Sequence, residues 1–368
     1  MSDLAPKSRA ALGELLDLVR EAGDRHFTAE RGVIEEGTAA EGYRFLTHLL
    51  AAGCEHHLEG DAAHPLFTRI VSPLRKVLGD NPDALYFWSP IDARYEYVIS
   101  GNLGGSVYTS FTVHGNDPDG GAMAKVLADV NDRDIDVDSM GNYRLTLAAG
   151  AGGRGHIELD GDAAMIVTRH YFEHPTSACA DPALDVRLAI ERTGAVEPRP
   201  PWTDESVAAG LQRVRRFVRA NTLGMPAPGE APPYPFVSRT PNALPKPASF
   251  RASDTDTMGA VDIHYAMAPY LLQPGQRLVM EGTLPPCAFA NVVLWNMHMQ
   301  TFEYRSRRTS LNRAQMKLDG NDFRIVVADA DPGEPNWLDT DGHMLGTVFW
   351  RILLPEEEPG EIRCSVEG

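Results

Sequence analysis

The sequence has few cysteines that could cross-link the chain. It contains only four cysteines in 368 residues. They are far apart and form no CxxC pair, so neither a disulfide framework nor a zinc ribbon is indicated. Isolated thiols of this kind are typical of reduced, structural cysteines in a cytoplasm. The cysteines are Cys54, Cys179, Cys287 and Cys364.

Positive charge is also scarce. Lys and Arg total 34 against 51 Asp and Glu, which gives a net charge of −17. Nucleic acids and anionic membrane surfaces both need a basic face, so we expect neither as a partner. No apolar run approaches the roughly 18 residues of a membrane-spanning helix. The first ten residues lack the basic-then-apolar order of a signal peptide, and the expected location is therefore the cytoplasm.

The common nucleotide motifs are missing as well. No Walker motif and no G-x-G-x-x-G opens a helix after a strand, which argues against nucleotide folds. We find no repeat at a fixed period, which argues against a solenoid or a propeller. The cofactor, if any, is unknown from the sequence.

Apolar residues at helical spacing predict helices at three places. The first is 7–23, which Gly23 should end, and the second is 39–60. A third, over 203–220, should begin at Thr203 with Ser206 beside it. We therefore expect a helical section over residues 1–80.

Short runs rich in Tyr, Val, Ile, Phe and Thr fill most of the remaining chain and alternate with Gly, Asp and Asn turns. They predict a first β-rich half over 81–200 and a C-terminal β-rich domain over 259–368. Between them, 201–258 holds the third helix and a proline-rich linker or strap. The predicted fold class is α+β and β-dominated, with N-terminal helices followed by antiparallel, jelly-roll-like β-sandwich layers.

Three C-terminal segments carry a family resemblance. They are YLLQPGQRLVMEG, LWNMHMQTFEYRSRRTSLNRAQ and VVADADPGEPNWLDTDGHMLGTVFWRILLP. Their order resembles the domain of unknown function 1214, which often follows the companion domain 1254 in longer proteins. The resemblance is strongest over residues 260–355 and weaker over 85–192. It implies a β-sandwich and brings no established activity.

The segment 334-EPNWLDTDGH-343 places Asp339, Asp341 and His343 at alternating positions. Two carboxylates and an imidazole on one side of an extended chain would suit a metal ion. Asp, Asn and Gly are equally the residues of turns that bond side chain to backbone. A turn, a ligand-binding loop and a metal site all stay open, and we assign no metal.

The apolar run around 289–300 carries Trp295, Asn296 and His298. In an extended strand Asn296 and His298 share the face opposite Trp295. Buried polar groups need partners, so such a pair either meets water or lines a cavity. We hypothesise that His298 and His343 converge with Asp339 and act as catalytic acid–base groups.

Arginines cluster at 303–315 in an otherwise acidic chain. An arginine fork grips carboxylate, sulfate or phosphate, although ion pairs with the excess carboxylates explain the cluster equally well. The predicted substrate-binding residues are Trp295, Asn296, Arg307, Arg308, Asn336 and Trp337.

In the first β-rich half, Tyr108, Ser110 and Thr112 alternate and should share one face of a strand. They could form one wall of a pocket or belong to a plain strand.

Three functions follow from these patterns. The first is an enzyme that uses His/Asp acid–base chemistry on a small apolar molecule with an anionic or carbonyl group. The second is a non-catalytic sandwich that binds a sugar or another small ligand, with exposed aromatic platforms such as Trp88 or Trp337. The third is an interaction or scaffold protein. A small-molecule ligand is the expected partner in the first two.

Overall fold

The structure is a computed structural model that describes residues 4–117, 125–226, 234–250, 260 and 262–368. Part of the predicted proline-rich strap, at 227–233, lies outside the described residues.

Three α-helices stand where the apolar spacing predicts them: α1 (Pro6–His26), α2 (Glu36–Gly53) and α3 (Asp204–Ala220). Helix α3 begins with a reciprocal cap, because the Thr203 side chain accepts from the Ser206 N–H at 3.1 Å and the Thr203 N–H donates to Ser206 Oγ at 2.9 Å.

The first helix ends beyond its predicted position, whereas the helical course of the second ends close to the predicted Gly60. Helix α1 continues beyond Gly23 to His26, and Gly23 instead allows the close approach of the Tyr43 ring. Helix α2 passes into a π-helical turn over Cys54–Leu58.

Seventeen β-strands are formed by the described residues. The first nine are β1 (Thr68–Arg69), β2 (Ala84–Pro90), β3 (Tyr97–Asn102), β4 (Tyr108–Gly115), β5 (Val126–Asn131), β6 (Asn142–Ala148), β7 (His156–Glu158), β8 (Ala163–Tyr171) and β9 (Leu188–Arg192). The others are β10 (Ile263–Leu271), β11 (Arg277–Thr283), β12 (Phe289–Trp295), β13 (Ser310–Asn312), β14 (Asp322–Ala328), β15 (Trp337–Asp339), β16 (Leu345–Leu353) and β17 (Arg363–Glu367).

These strands build two sandwiches with the same topology. The first sandwich has sheets β1-β2-β8-β4-β5 and β7-β6-β3-β9, and the second has β10-β16-β12-β13 and β15-β14-β11-β17. Apart from the extra edge strand β1, adding eight to each strand number of the first sandwich gives the pairings of the second. The match includes the single parallel pair of each sandwich, β6 with β7 and β14 with β15.

Each sandwich has its own core between its two sheets. Ile99, Phe111 and Leu145 belong to the first core, and Met280, Val292 and Trp350 to the second. Helices α1 to α3 pack on one another and on the outer face of the first sandwich through Trp88 and Val167. The predicted α+β, β-dominated fold is therefore confirmed. Strands whose numbers differ by eight occupy equivalent places, which is a structural repeat. The sequence shows no fixed period that would reveal it.

The two sandwiches meet face to face. Sheet β2-β8-β4 contributes Tyr108 and Tyr171 to a shared apolar cluster, and sheet β10-β16-β12 contributes Tyr265, Trp295 and Phe349.

The segment 234–250 runs beside this interface as an extended strap. Val237 forms an isolated bridge to Met267 of β10, and Ala248 forms one to Tyr265. Among the helices of the described ranges, none has the length and apolar character needed to cross a bilayer.

Candidate functional site

A cavity of about 400 Å³ lies between the two facing sheets. Its wall is mostly apolar and strongly aromatic, and the strap closes one side. Cavities of this size between packed layers are common small-molecule sites. The aromatic wall includes Tyr86, Tyr171, Phe236, Tyr265, Trp295 and Phe349.

Two arginines interrupt this apolar wall. Arg169 lies on β8 and Arg351 on β16, the second strand of each sandwich's equivalent sheet. Each faces a tyrosine on the neighbouring strand: Tyr86 pairs with Arg169 and Tyr265 with Arg351. The topological repeat therefore brings two arginine–tyrosine pairs to one cavity.

Arg351 is buried, with 4% of its surface exposed. Its Nη2 donates to the Gly79 carbonyl at 3.1 Å. The guanidinium carbon lies 4.5 Å from the ring centroid of Phe349 and 5.2 Å from that of Trp295. Nη1 is buried and has no hydrogen-bond partner among the described residues. A buried cationic donor is costly unless a water or a ligand completes its hydrogen bonding.

The loop that holds Arg351 depends on Gly79. This residue has φ of +76°, and a Cβ there would lie 3.0 Å from the Trp295 ring. Only glycine meets both conditions without strain. Trp295 is fixed in turn, because its Nε1–H donates to the Asp80 carbonyl at 2.9 Å.

Arg169 has polar partners inside its own sandwich. Its Nη1 donates to Thr112 Oγ1, which also bonds to the Asp129 carboxylate. Burial raises the pKa of Asp129 to about 6, while the Arg169 charge acts in the opposite direction. Thr112 thus links Arg169 to a carboxylate on the next strand.

The repeat shows what stands at these positions in the second sandwich. Ser110 is opposite Arg169, and Asn291 is opposite Arg351. Two residues further along these strands, Thr112 of the first sandwich is paired with Asp129. The equivalent pair in the second sandwich is Val293 and Ser310. At these two positions the second sandwich therefore lacks the threonine hydroxyl and the carboxylate of the first.

Two buried carboxylates lie within electrostatic range of Arg351. Asp80 accepts from the N–H and the hydroxyl of Thr301. Asp83 accepts from the side-chain amides of Asn291 and Asn312, both at 3.0 Å. Burial raises the pKa of Asp83 to about 6, and the Arg351 charge lowers it. Within the described residues, the hydrogen bonds of both carboxylates are thus made to groups other than Arg351.

Tyrosine hydroxyls supply further polar atoms to the cavity. The Tyr86 hydroxyl donates to that of Tyr171 at 3.4 Å, and the Tyr265 hydroxyl accepts from the Ala260 N–H at 3.0 Å. Burial raises the pKa of Tyr86 and of Tyr265 well above the ordinary tyrosine value. Both phenols are therefore protonated at neutral pH and act as hydrogen-bonding groups.

The segment 334–343 forms an arginine-clamped turn. Arg307 bonds to Asp339 Oδ2 through Nη1 at 2.8 Å and to Asp341 Oδ1 through Nε at 2.7 Å. The Asp341 N–H donates to Asp339 Oδ1 at 2.8 Å. Arg308 Nη1 donates to the Pro335 carbonyl at 2.9 Å. Both predicted anchor arginines therefore hold this loop.

His343 and Asp339 do not form a pair in the structure. His343 Nε2 lies 3.1 Å from Glu41 Oε2, which raises the pKa of the histidine against the effect of its burial. His343 Nδ1 lies 3.1 Å from the Thr340 carbonyl. Both ring nitrogens thus have partners other than Asp339.

His298 fills a contact between the helices and the second sandwich. Its Nε2 lies 2.8 Å from the Thr38 carbonyl, and its ring packs between Phe27 and Phe45. Burial lowers its pKa. The neighbouring Asn296 shapes the turn, since its Oδ1 accepts from the His298 N–H at 3.0 Å.

Asn336 and Trp337 also have structural contacts. The Asn336 amide donates to the carbonyls of Lys317 at 2.8 Å and of Arg324 at 3.0 Å, and Trp337 Nε1–H donates to Ala328 at 2.8 Å. Asn336 borders a separate, open and charged hollow of about 540 Å³. Of the substrate-binding residues predicted from the sequence, Trp295 is the one found among the described residues that line the aromatic cavity.

Sequence reasoning missed Arg169 and Arg351. A signal was present, because each is a lone arginine inside an apolar strand, in 165-MIVTRHYF-172 and 347-TVFWRILL-354. The predicted shared face of Tyr108, Ser110 and Thr112 is buried and faces the interface with the second sandwich. In the portion of the chain that the structure covers, no three His, Cys, Asp or Glu side chains are grouped to hold a metal.

Comparison with known proteins gives the fold and no function. The structure is similar to the crystal structure of an uncharacterised protein from Burkholderia cenocepacia, with a TM-score of 0.83 and 26% identity over 99% of this chain and 98% of that chain. A protein from Vibrio parahaemolyticus matches with a TM-score of 0.51 and 14% identity over 89% of this chain and 98% of that chain, which shows the fold alone. No family model and no curated protein matches the sequence.

Proposed function

We propose that this protein binds a small apolar molecule with one anionic head group, most simply a carboxylate, in the cavity between the two sandwiches. The partnerless Nη1 of the buried Arg351 carries the proposal. A buried charge is stable when it is paired and hydrogen-bonded. An entering carboxylate would supply both and leave its apolar body against the aromatic wall.

The repeat supports this assignment of the anchor. Arg169 reaches the Asp129 carboxylate through Thr112, whereas Val293 and Ser310 occupy the corresponding positions beside Arg351. The first arginine thus reaches a carboxylate through a bridging hydroxyl, whereas the carboxylates near Arg351, Asp80 and Asp83, are hydrogen-bonded to other groups.

The lining groups favour binding over acid–base catalysis. Within the described part of the cavity wall there is neither histidine nor cysteine, and its one carboxylate, Asp80, accepts from the N–H and the hydroxyl of Thr301. The Tyr86 and Tyr265 phenols have pKa values raised by burial, so neither is poised to exchange a proton at neutral pH. The proposal therefore takes its non-catalytic role from the second of the functions predicted from the sequence. It takes its ligand, an apolar molecule with an anionic group, from the first.

A sugar ligand is less well supported. Trp88 is fully buried under the helices, and Trp337 packs against the edge of its sheet. The cavity also offers few polar groups for a ring of hydroxyls. We further propose that residues 260–355 belong to the domain of unknown function 1214, a proposal that adds no activity.

The test is a binding measurement on the full chain. Native mass spectrometry of protein purified from its expression host would reveal a retained organic acid, and isothermal titration with naphthoate and undecanoate would give affinities. The informative variant is Arg351→Met, with Arg351→Lys as the conservative change. Arg324→Met is the matched control, because Arg324 forms surface ion pairs with Glu281 and Glu367.

We expect Arg351→Met to weaken carboxylate binding about 10- to 100-fold, as expected for loss of a charged hydrogen bond of about 1.5–3 kcal/mol. Arg351→Lys should retain part of the affinity, and Arg324→Met should bind like the wild type. Carboxylate binding that is the same in Arg351→Met and wild type, with both proteins folded by circular dichroism, would overturn the proposal.

A further inference from the structure

We infer that the ligand is an aromatic carboxylate whose ring packs against the row of Tyr265, Phe349 and Trp295 while its carboxylate meets Arg351. This inference rests on the proposed function and narrows its ligand to one chemical class. It concerns the body of the molecule, whereas the proposed function concerns its head.

The first support is the geometry of that row. The Tyr265 and Phe349 ring centroids are 5.3 Å apart with planes inclined by 33°. Those of Phe349 and Trp295 are 4.4 Å apart and inclined by only 22°. The three rings lie on adjacent strands of one sheet and stack on one another, so they form a stacked aromatic row that lines the cavity. A planar ligand ring packed against this row, offset or edge to face, gains more than its buried area alone provides.

The position of Arg351 is the second support. Its guanidinium lies over the Phe349 and Trp295 rings, and Nη2 is held by the Gly79 carbonyl. The donor without a partner, Nη1, therefore lies beside the aromatic row. In an aromatic acid the carboxylate is attached directly to the ring. Such a molecule can pack its ring against the row and direct its oxygens to Nη1.

The strap supplies the third support, because it adds more rings beside Tyr265. The centroids of Phe236 and Phe250 lie 5.3 Å and 5.6 Å from that of Tyr265. These rings meet one another edge to face, at 4.8 Å and 76°. A rigid aromatic ligand fits such fixed walls without the loss of rotamer freedom that a flexible chain suffers.

The volume limits the size of the ligand. About 400 Å³ is near the lower end of small-molecule sites. One ring or two fused rings, with a single carboxylate, are the expected scale.

The decisive experiment compares three probes with the full chain by isothermal titration. Naphthoate and undecanoate have the same number of carbon atoms and the same charge, so they differ in the aromatic body. Naphthalenemethanol keeps the aromatic body and lacks the charge. We expect naphthoate to bind about tenfold more tightly than undecanoate, since one or two aromatic contacts are each worth ~0.5–1.5 kcal/mol beyond area.

A pair of variants assigns the effect to the row. Phe349→Leu should weaken naphthoate about fivefold and leave undecanoate within about twofold. Phe323→Leu is the control, because Phe323 is also buried and packs at 4.8 Å on another tryptophan, Trp350, in the core of the second sandwich.

The outcomes separate this inference from the proposed function. Undecanoate binding as tightly as naphthoate, with both dependent on Arg351, overturns the aromatic inference and leaves the anion site. Naphthalenemethanol binding as tightly as naphthoate overturns the anion anchor and supports the aromatic body. Binding of none of the three probes overturns both. If Phe349→Leu does not fold, the comparison of probes on the wild type still decides.

Discussion

Arg169 and Arg351 occupy the same place in two equivalent strands. Each lies two residues before the end of a nine-residue strand, Ala163–Tyr171 or Leu345–Leu353, and each is opposite a tyrosine. Their surroundings differ, because Arg169 bonds to Thr112, whose hydroxyl also bonds to a carboxylate, while Arg351 Nη1 has no partner among the described residues. The surroundings of Arg169 can therefore be compared directly with those of Arg351 within one molecule.

The residues beside Arg169 can be introduced beside Arg351 by mutation. The double variant Val293→Thr/Ser310→Asp copies the Thr112–Asp129 arrangement beside Arg351. We expect it to weaken naphthoate binding about tenfold or more, because an internal carboxylate then competes for the guanidinium. Isothermal titration against the wild type measures the change.

Val293→Thr alone is the matched control, since it adds the hydroxyl without the charge and should bind within about threefold of the wild type. An unchanged affinity in a folded double variant would mean that the ligand does not use Arg351.

His298 should matter for stability and not for binding. His298→Ala removes a buried ring from between Phe27 and Phe45 and the contact with the Thr38 carbonyl. We expect a loss of about 2–4 kcal/mol in the free energy of unfolding, measured by urea denaturation.

The exposed His156 provides the comparison, and His156→Ala should change stability by less than about 0.5 kcal/mol. Naphthoate affinity below the unfolding transition should be unchanged in both variants. A selective loss of affinity in His298→Ala would restore the catalytic or binding role that the sequence suggested.

Asp339 is expected to behave as part of the clamped turn. Asp339→Ala removes acceptors from Arg307 Nη1 and the Asp341 N–H in a nearly buried setting. The unfolding free energy should fall by about 1–3 kcal/mol, while ligand affinity stays the same. Asp331→Ala, at an exposed turn where Asp331 accepts from the Gly333 N–H, is the control and should be nearly silent. Ligand binding that disappears in Asp339→Ala alone would contradict the structural role.

His170 should make the protein sensitive to acid. It is fully buried between Thr109 and Thr168, and burial lowers its pKa from 6.5 to about 3. The folded state therefore takes up this proton less readily than the unfolded chain. Its contribution to stability is complete above about pH 6.5 and is lost as the pH falls from there towards 3, by about 2 kcal/mol at pH 5.

Other buried groups change stability with pH in the opposite direction. The test therefore compares how steeply the free energy of unfolding changes with pH in the wild type and in the variants. Burial raises the pKa of Asp83 and Asp129 to about 6, and these groups lose stability as the pH rises through that value. Between pH 7 and 5, His170→Gln should lose about 2 kcal/mol less than the wild type. His156→Gln is the control variant, because it makes the same substitution at an exposed histidine. Equal slopes in all three proteins would show that His170 is not buried neutral.

The sequence predicts local structure in this protein better than assembly. Apolar spacing located α3, and the Thr203–Ser206 pair marked its first turn. The pattern of short runs rich in aromatic and β-branched residues located strands such as β4 and β16. It missed β5 (Val126–Asn131), whose residues are all half-buried, and short edge strands such as β15 (Trp337–Asp339). Short edge strands take their form from their partners, so their own sequence carries little signal.

The site was harder to predict for a physical reason. Asp339, Asp341 and His343 are close in sequence and looked like a constellation, yet each has a structural partner within reach. Arg351 lies far along the chain from Gly79, and the cavity forms only where the two sandwiches meet. Such a site depends on long-range pairing, which local patterns do not encode.

The topological repeat has a consequence for how the site can be specialised. In a symmetric dimer of one sandwich, a change beside one arginine would appear beside both, because identical subunits share one sequence. Here the two halves are joined in one chain, and positions 112 and 293, or 129 and 310, can differ freely. One half can keep an arginine that bonds to its own Thr112, while in the proposed function the arginine of the other half binds the ligand. Under the proposed function, asymmetry of this kind would let a two-fold architecture bind a molecule with distinct ends in a single orientation.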